Sequence, residues 1–192
     1  MIRAIYSQTL ALAVSRHAPA ALFLVAFAES SVFPIPPDVL MIPMVIAAPS
    51  RAWRIAAICL AGSVLGALVG YWIGHAAFET VGRPVLEFYG KTAYFDRFSD
   101  AYNTWGAWAV LFAGVTPFPF KVITILSGAT GLSLPTFVIA AVVARGLRFF
   151  LVAALLWKFG EPVRGFIERR LGLVFTVFVA LLLGGFVLLR YL

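Results

Sequence analysis

The chain has 192 residues, of which 62% are hydrophobic and 12% are charged, and its formal net charge is +7. This composition excludes an ordinary soluble domain and predicts a single, all-α polytopic membrane domain. The basic residues are scattered between apolar runs, so we expect them to meet lipid headgroups and set orientation rather than bind nucleic acid. Cys59, in an apolar run, is the one cysteine of this sequence, and a single cysteine excludes a disulfide framework and a cysteine metal site.

Two short apolar helices separated by prolines open the chain. Residues 1–17 are predicted to form an amphipathic helix on the membrane surface. At about 1.5 Å per residue, the helices at 18–33 and 38–48 are both shorter than the roughly 30 Å hydrocarbon core of a membrane. Proline removes a backbone donor, and we therefore predict a re-entrant hairpin with its tip at Pro34, Pro36 and Pro37.

A spanning helix at 52–75 and an interfacial segment at 76–104 follow this hairpin. The spanning helix carries small residues at every fourth position, which form one face that lets another backbone approach closely. This face serves either the internal core or a homo-oligomer, and its members are Gly62, Gly66, Gly70 and Gly74. The interfacial segment mixes charges with aromatic residues, as amphipathic membrane-surface helices do.

The second half begins with another pair of short apolar stretches, at 105–115 and 122–132. Between them lies the sequence Thr116-Pro-Phe-Pro-Phe-Lys121, which predicts a second hairpin tip at Pro117 and Pro119. The remaining segments are a spanning helix at 135–157, a basic amphipathic stretch at 158–170 and a C-terminal spanning helix at 171–189.

A shift of 83 residues aligns the two halves, with Asp38 falling on Lys121. If each hairpin returns to its own side, the helix at 52–75 places the second hairpin on the opposite face. Repeat 1 (about 18–75) and repeat 2 (about 105–157) are then inverted, as in many transporters. Basic residues outside the predicted membrane interior divide eight against four between the two sides, which places the N-terminus in the cytoplasm.

Five ionisable residues are predicted at membrane depth, where charges are expensive and usually functional: Glu29, Asp38, Lys121, Arg145 and Arg148. Their sum is one positive charge, so an anion is the expected ligand, and phosphate suits the planar donors of arginine. The facing tips are expected to bring Asp38 opposite Lys121. Arg145 and Arg148 share a helix face and act either on substrate or in neutralising the carboxylates and binding free carbonyls.

Glu29 lies inside its helix, where no capping role explains it. Because burial disfavours a charged carboxylate, Glu29 is the first candidate for proton coupling. Asp38 is the second, although the dipole at the start of its helix also accounts for a carboxylate there. Thr116 is expected to satisfy backbone groups near the second break. No nucleophile elbow, zinc-protease motif or phosphate loop occurs, so we expect neither an enzyme nor a cofactor.

Three stretches resemble the DedA (SNARE-associated, VTT-domain) family, in its short YqaA-like branch: Glu29 to Asp38, the helix around Gly62-Ser63, and Thr116 to Gly128. The resemblance covers roughly residues 20–160. It implies inverted re-entrant hairpins, an inner-membrane location and movement of undecaprenyl phosphate or phospholipid linked to the proton-motive force. It also implies that Glu29 and Asp38 are the family's acidic pair. The family's arginine ahead of the second tip is replaced by Thr116, and its later basic position is approximated by Lys121.

The leading hypothesis is therefore a lipid flippase or scramblase that handles a phosphate-bearing headgroup and is driven or gated by protons. The alternatives are a proton-coupled transporter of a small ion or solute and a non-transporting scaffold for envelope maintenance. In the first hypothesis Lys121, Arg145, Arg148 and Thr116 bind the substrate.

Overall fold

The structure is a computed structural model that describes residues 15, 17–33, 36–116 and 118–169, without the side chains of residues 161 and 163–169. Every regular element in these residues is helical, as the composition predicts. Two stretches are long and apolar enough to cross a membrane, Pro49–Phe88 and Leu134–Gly160, and they contain the predicted spans at 52–75 and 135–157. The predicted C-terminal span at 171–189 and most of the amphipathic helix at 1–17 lie outside the described residues.

The first half contains two short helices and one long one. Helix α1 (Ala18–Ser31) has a proline at its start, and Val32 follows its last residue before the proline break. Helix α2 (Asp38–Ala47) follows the break, and a single 3₁₀ turn (Pro49–Arg51) connects it to α3 (Ala52–Ala77). A π-helical turn (Phe78–Gly82) then joins α3 to the short α4 (Arg83–Phe88).

The second half has the same order of elements. Helix α5 (Thr92–Val115) leads to the second break, α6 (Phe120–Ala129) follows it, and α7 (Leu134–Arg169) is the long helix. Helices α2 and α6 are each 10 residues long, and each lies between a proline break and a long helix. This order of elements agrees with membrane re-entry and inverted topology, and both remain predictions.

Helix α5 differs from the predicted arm at 105–115, because it begins at Thr92 and runs for 24 residues. Its N-terminal half takes up part of the predicted interfacial segment at 76–104. The polar residues there, such as Asp96 and Asp100, lie on exposed positions and leave the helical hydrogen bonds intact. Hydropathy therefore changes along α5 without breaking it. Helix α7 likewise continues past residue 157, with a non-helical residue at Phe159 near the predicted boundary.

Helix α3 is the central helix, and α1, α6 and α7 pack against it. Its glycine face is covered from within the chain. A Cβ at Gly62 or Gly66 would run into backbone of α1, and one at Gly74 into backbone of α6. At Gly70 the two meet, because its neighbours are the Ser30 carbonyl of α1 and the Thr124 side chain of α6. The glycine face was predicted to serve either the internal core or a homo-oligomer, and in the structure it packs within the internal core.

Candidate functional site

Arg145 is the most deeply buried charge in the described part of the chain, with only 2% of its side chain exposed. It lies on α7 between the two apolar clusters of the core. Its guanidinium carbon is 4.7 Å from the ring centre of Phe149 in one cluster and 4.8 Å from that of Phe120 in the other. A buried guanidinium needs hydrogen-bond acceptors, because its desolvation is otherwise uncompensated.

Two side chains supply those acceptors. Arg145 Nη2 donates to Glu29 Oε2, and Arg145 Nε donates to Ser63 Oγ at 2.7 Å. Ser63 Oγ is also 2.7 Å from Ser30 Oγ, and Ser30 Oγ donates to Glu29 Oε2 at 3.0 Å. The four residues therefore form a closed ring of hydrogen bonds that joins α1, α3 and α7.

The donors in this ring have one arrangement when Glu29 is ionised. Arginine only donates and a carboxylate only accepts. Since Ser30 gives its hydrogen to Glu29, the hydrogen of Ser63 goes to Ser30. Every donor then contributes to stabilising the negative charge on Glu29, directly or through one or two hydroxyls. Glu29 thus has two donors on one oxygen, and 12% of its side chain is exposed.

Arg148 makes the second ion pair, one turn further along α7. Its Nη2 donates to Asp38 Oδ2 at 2.7 Å, and its Nη1 donates to the Thr116 carbonyl at 2.8 Å. Asp38 is the first residue of α2, and Thr116 directly follows α5. One guanidinium therefore bridges the two proline breaks. This pair is more accessible than the first, since both side chains are 17% exposed.

The expected pairing of Asp38 with Lys121 is wrong. Arg148 occupies Asp38, whereas Lys121 Nζ lies 3.4 Å from the Val32 carbonyl at the end of α1. Asp38 and Lys121 hold equivalent positions in the two repeats, and such residues meet only if the two hairpin tips lie directly opposite each other. Here the structure instead brings the start of α6 against the end of α1, and the Thr124 hydroxyl donates to the Ser30 carbonyl.

Thr116 was expected to satisfy backbone groups near the second break, and the structure gives its carbonyl and its hydroxyl different surroundings. Its carbonyl accepts from Arg148, but its hydroxyl is buried and has no hydrogen-bond partner within the described residues. The carbonyl needs a donor from outside α5 because Thr116 is extended and lies directly after the last residue of that helix. Arg148 provides this donor, and carbonyl binding is one of the two parts that the sequence left open for the arginines.

The prolines bound the two short helices. Pro37 precedes α2 with φ −64°, and its carbonyl accepts from the backbone N–H of Met41. Pro36 accepts from Val39 in the same turn. Pro119 precedes α6 in an extended conformation. The other two predicted tip residues, Pro34 and Pro117, lie outside the described residues.

The site thus combines the five predicted ionisable residues with two serines that the sequence interpretation did not include. The carboxylates are matched one to one by Arg145 and Arg148, and Lys121 contacts a carbonyl. A signal for Ser63 was available, because it follows Gly62 and so lies beside the glycine face of α3. Such a face receives another helix closely, and a hydroxyl there reaches the groups of its partner.

Comparison with known proteins relates the chain to one family. Residues 35–158 match the family model of the VTT domain. The chain is 36% identical over 167 residues to an uncharacterized protein of Haemophilus influenzae, which covers 85% of this chain and 86% of that protein. It is 34% identical over 168 residues to an uncharacterized protein of Histophilus somni, covering 85% and 87%. No solved structure matches the chain.

Proposed function

The chain belongs to the VTT-domain (DedA) family of membrane proteins, which are of the transporter type, and on this premise we propose that it moves a phosphate-bearing lipid across the bacterial inner membrane. Undecaprenyl phosphate and phospholipids are the substrates of the right chemistry. The N-terminus is cytoplasmic, and the two proline breaks are the tips of inverted re-entrant hairpins. The headgroup passes between these tips while the tails stay in the bilayer.

One observation carries the proposal: two arginines of one helix are each paired with a carboxylate from a different arm of the first hairpin. Arg145 binds Glu29 of α1, and Arg148 binds Asp38 of α2. A guanidinium edge that binds a carboxylate also binds a phosphate, because both are oxyanions with matching acceptor spacing. The carboxylates therefore occupy the donors that a phosphate headgroup would use.

This competition supplies a route to proton coupling. A proton on the carboxylate removes its charge and weakens its hold on the arginine, which then gains by binding a phosphate oxygen. Phosphate and proton consequently bind together, and release of the proton restores the ion pair and expels the phosphate. Asp38 and Arg148 are the more accessible pair, so exchange begins there.

The net charge of the site agrees with an anionic headgroup. Two carboxylates and three cations leave one positive charge, which a monoanionic phosphate ester would balance. Lys121 is the residue available for this, because its contact is a carbonyl at 3.4 Å rather than a carboxylate. A carbonyl contact is readily exchanged for a charged oxygen, since charge-assisted bonds are stronger.

The test is transport in reconstituted vesicles. Purified protein is placed in vesicles with a fluorescent phosphatidylglycerol, and its movement between leaflets is measured with and without an imposed proton gradient. We expect protein-dependent movement that changes with the gradient and is lost in an R145Q/R148Q double variant. The matched control is R83Q, which removes an arginine from an exposed ion pair with Glu79 outside the site.

The outcomes separate the three hypotheses. Full activity in R145Q/R148Q would contradict the part assigned to the arginines. Absence of phosphatidylglycerol movement in every condition would remove phospholipid transport as the function, and the same assay with a labelled undecaprenyl phosphate decides for that lipid. Gradient-driven uptake of inorganic phosphate or another small ion without lipid movement would favour a solute transporter, and neither activity would favour a scaffold.

A further inference from the structure

A second candidate site lies at the opposite end of α1 from the buried ion pairs. A cavity of about 230 Å³ opens where α1 and α3 begin and α2 ends. Its lining combines apolar residues with two arginines and includes Pro19, Met44, Ile55, Ile58, Arg51 and Arg54. Ala18 is 11 residues from Glu29, about 16 Å along a helix, so this cavity is separate from the ion pairs.

The cavity is positive from several sources. Arg51 and Arg54 are three residues apart, both are exposed, and neither forms an ion pair with any residue that the structure describes. Helices α1 and α3 begin at the rim, so their positive dipole ends lie in this region. The end of α2 contributes opposing carbonyls, but Arg51 follows it within one turn. No carboxylate belongs to the lining.

Aromatic residues indicate the depth of the cavity in the membrane. Trp53 lies between the two arginines in sequence and is exposed, and its ring is 6.3 Å from that of the exposed Trp157. Both tryptophans lie near an end of a stretch that is long and apolar enough to cross a membrane, and exposed tryptophans at such positions mark the headgroup level of a bilayer. From Arg51 towards Ile58, α3 therefore runs from headgroups into hydrocarbon.

We propose that this cavity is a binding site for a membrane lipid with an anionic phosphate headgroup. Arg51 and Arg54 bind the phosphate oxygens, and the apolar chain lies against Ile55 and Ile58. Arginine is the residue best suited to phosphate, and an apolar wall directly below it suits a lipid rather than a free ion. The site requires only that the chain lies in a membrane and does not depend on the proposed transport.

The test measures binding of a short-chain lipid to the full-length protein in detergent. Dihexanoyl phosphatidylglycerol is added below its micelle concentration, and binding is followed by Trp fluorescence and by the rise in Tm. Dihexanoyl phosphatidylcholine and inorganic phosphate are the comparison ligands. We expect saturable binding of phosphatidylglycerol, weaker binding of the zwitterionic lipid, and little effect of phosphate alone.

Variants separate a formed cavity from diffuse charge attraction. R51Q/R54Q should weaken binding at least roughly tenfold. A47F keeps both arginines but fills the cavity from an exposed lining position, so it should also abolish binding while the apo protein keeps its Tm. R97Q removes an exposed arginine of α5 and should leave binding unchanged.

Three results would overturn the proposal. Wild-type affinity in A47F would mean that the arginines attract lipid without the cavity. An equal loss in R97Q and R51Q/R54Q would mean that only net charge matters. Inorganic phosphate that binds as tightly as the lipid would mean an ion site instead. If A47F does not fold, the smaller A47L variant tests the same point.

Discussion

The substitution Glu29→Gln tests the energetics of the buried ring most directly. Glutamine has nearly the shape of glutamate but carries no charge, so Arg145 would be left as an uncompensated cation that is 2% exposed. Breaking a buried pair by removing one partner costs about 3–5 kcal/mol. For a chain of this size a loss of 1 kcal/mol lowers Tm by about 2–4 °C, so Tm should fall by roughly 6–20 °C.

The same change at the second pair should cost less. Asp38→Asn leaves Arg148 with the Thr116 carbonyl and with 17% of its side chain exposed, so part of the guanidinium remains solvated. The measurement is thermal unfolding of the purified protein in detergent, followed by Trp fluorescence. Glu79→Gln is the matched control, because Glu79 and Arg83 form an exposed pair, and its Tm should not change measurably.

The refuting result for this reasoning is a Tm for E29Q equal to that of the wild type or of E79Q. The ring of hydrogen bonds around Arg145 would then not stabilise the fold. A double variant with Arg145→Met provides an internal check. If an unpaired charge causes the loss, replacing the arginine by an apolar residue should recover part of the Tm lost in E29Q.

Three further predictions concern the same helices. Ser63→Ala leaves the buried Nε of Arg145 without its acceptor and should cost about 1–3 kcal/mol, seen as a lower Tm, while Ser63→Thr should retain more of it. Gly66→Ala should lower the Tm because its Cβ would run into backbone of α1. Gly146→Ala on α7 should leave the Tm unchanged or raise it, because the nearest atom to its added Cβ is 3.7 Å away. Equal Tm values for the two variants would contradict the close packing at Gly66. Arg148→Lys keeps the charge but lacks the planar fork that binds a carboxylate and a carbonyl together, so lipid movement in vesicles should slow markedly; an unchanged rate would show that charge alone suffices.

Much of the fold was predictable because its signals are local. Proline removes a donor, and the breaks before α2 and α6 coincide with clusters of prolines in the sequence that end at Pro37 and Pro119, whereas the single Pro43 lies inside α2 without ending it. The glycines of α3 recur at one helical face, and that face receives α1 and α6. The start of α5 was not predictable from hydropathy, because a helix keeps its hydrogen bonds when its residues change from polar to apolar.

The partners of the charged residues depended on tertiary structure. Composition and spacing identified the buried charges of the site and their excess of one positive charge. They did not determine that Arg148 rather than Lys121 pairs with Asp38, nor that Ser30 and Ser63 complete the ring around Arg145. A side chain pairs with whatever lies within a few ångströms of its charged end. That depends on where α1 and α6 pack along α3, and only the packed helices determine this position. At Gly70, for example, the Ser30 carbonyl of α1 meets the Thr124 side chain of α6.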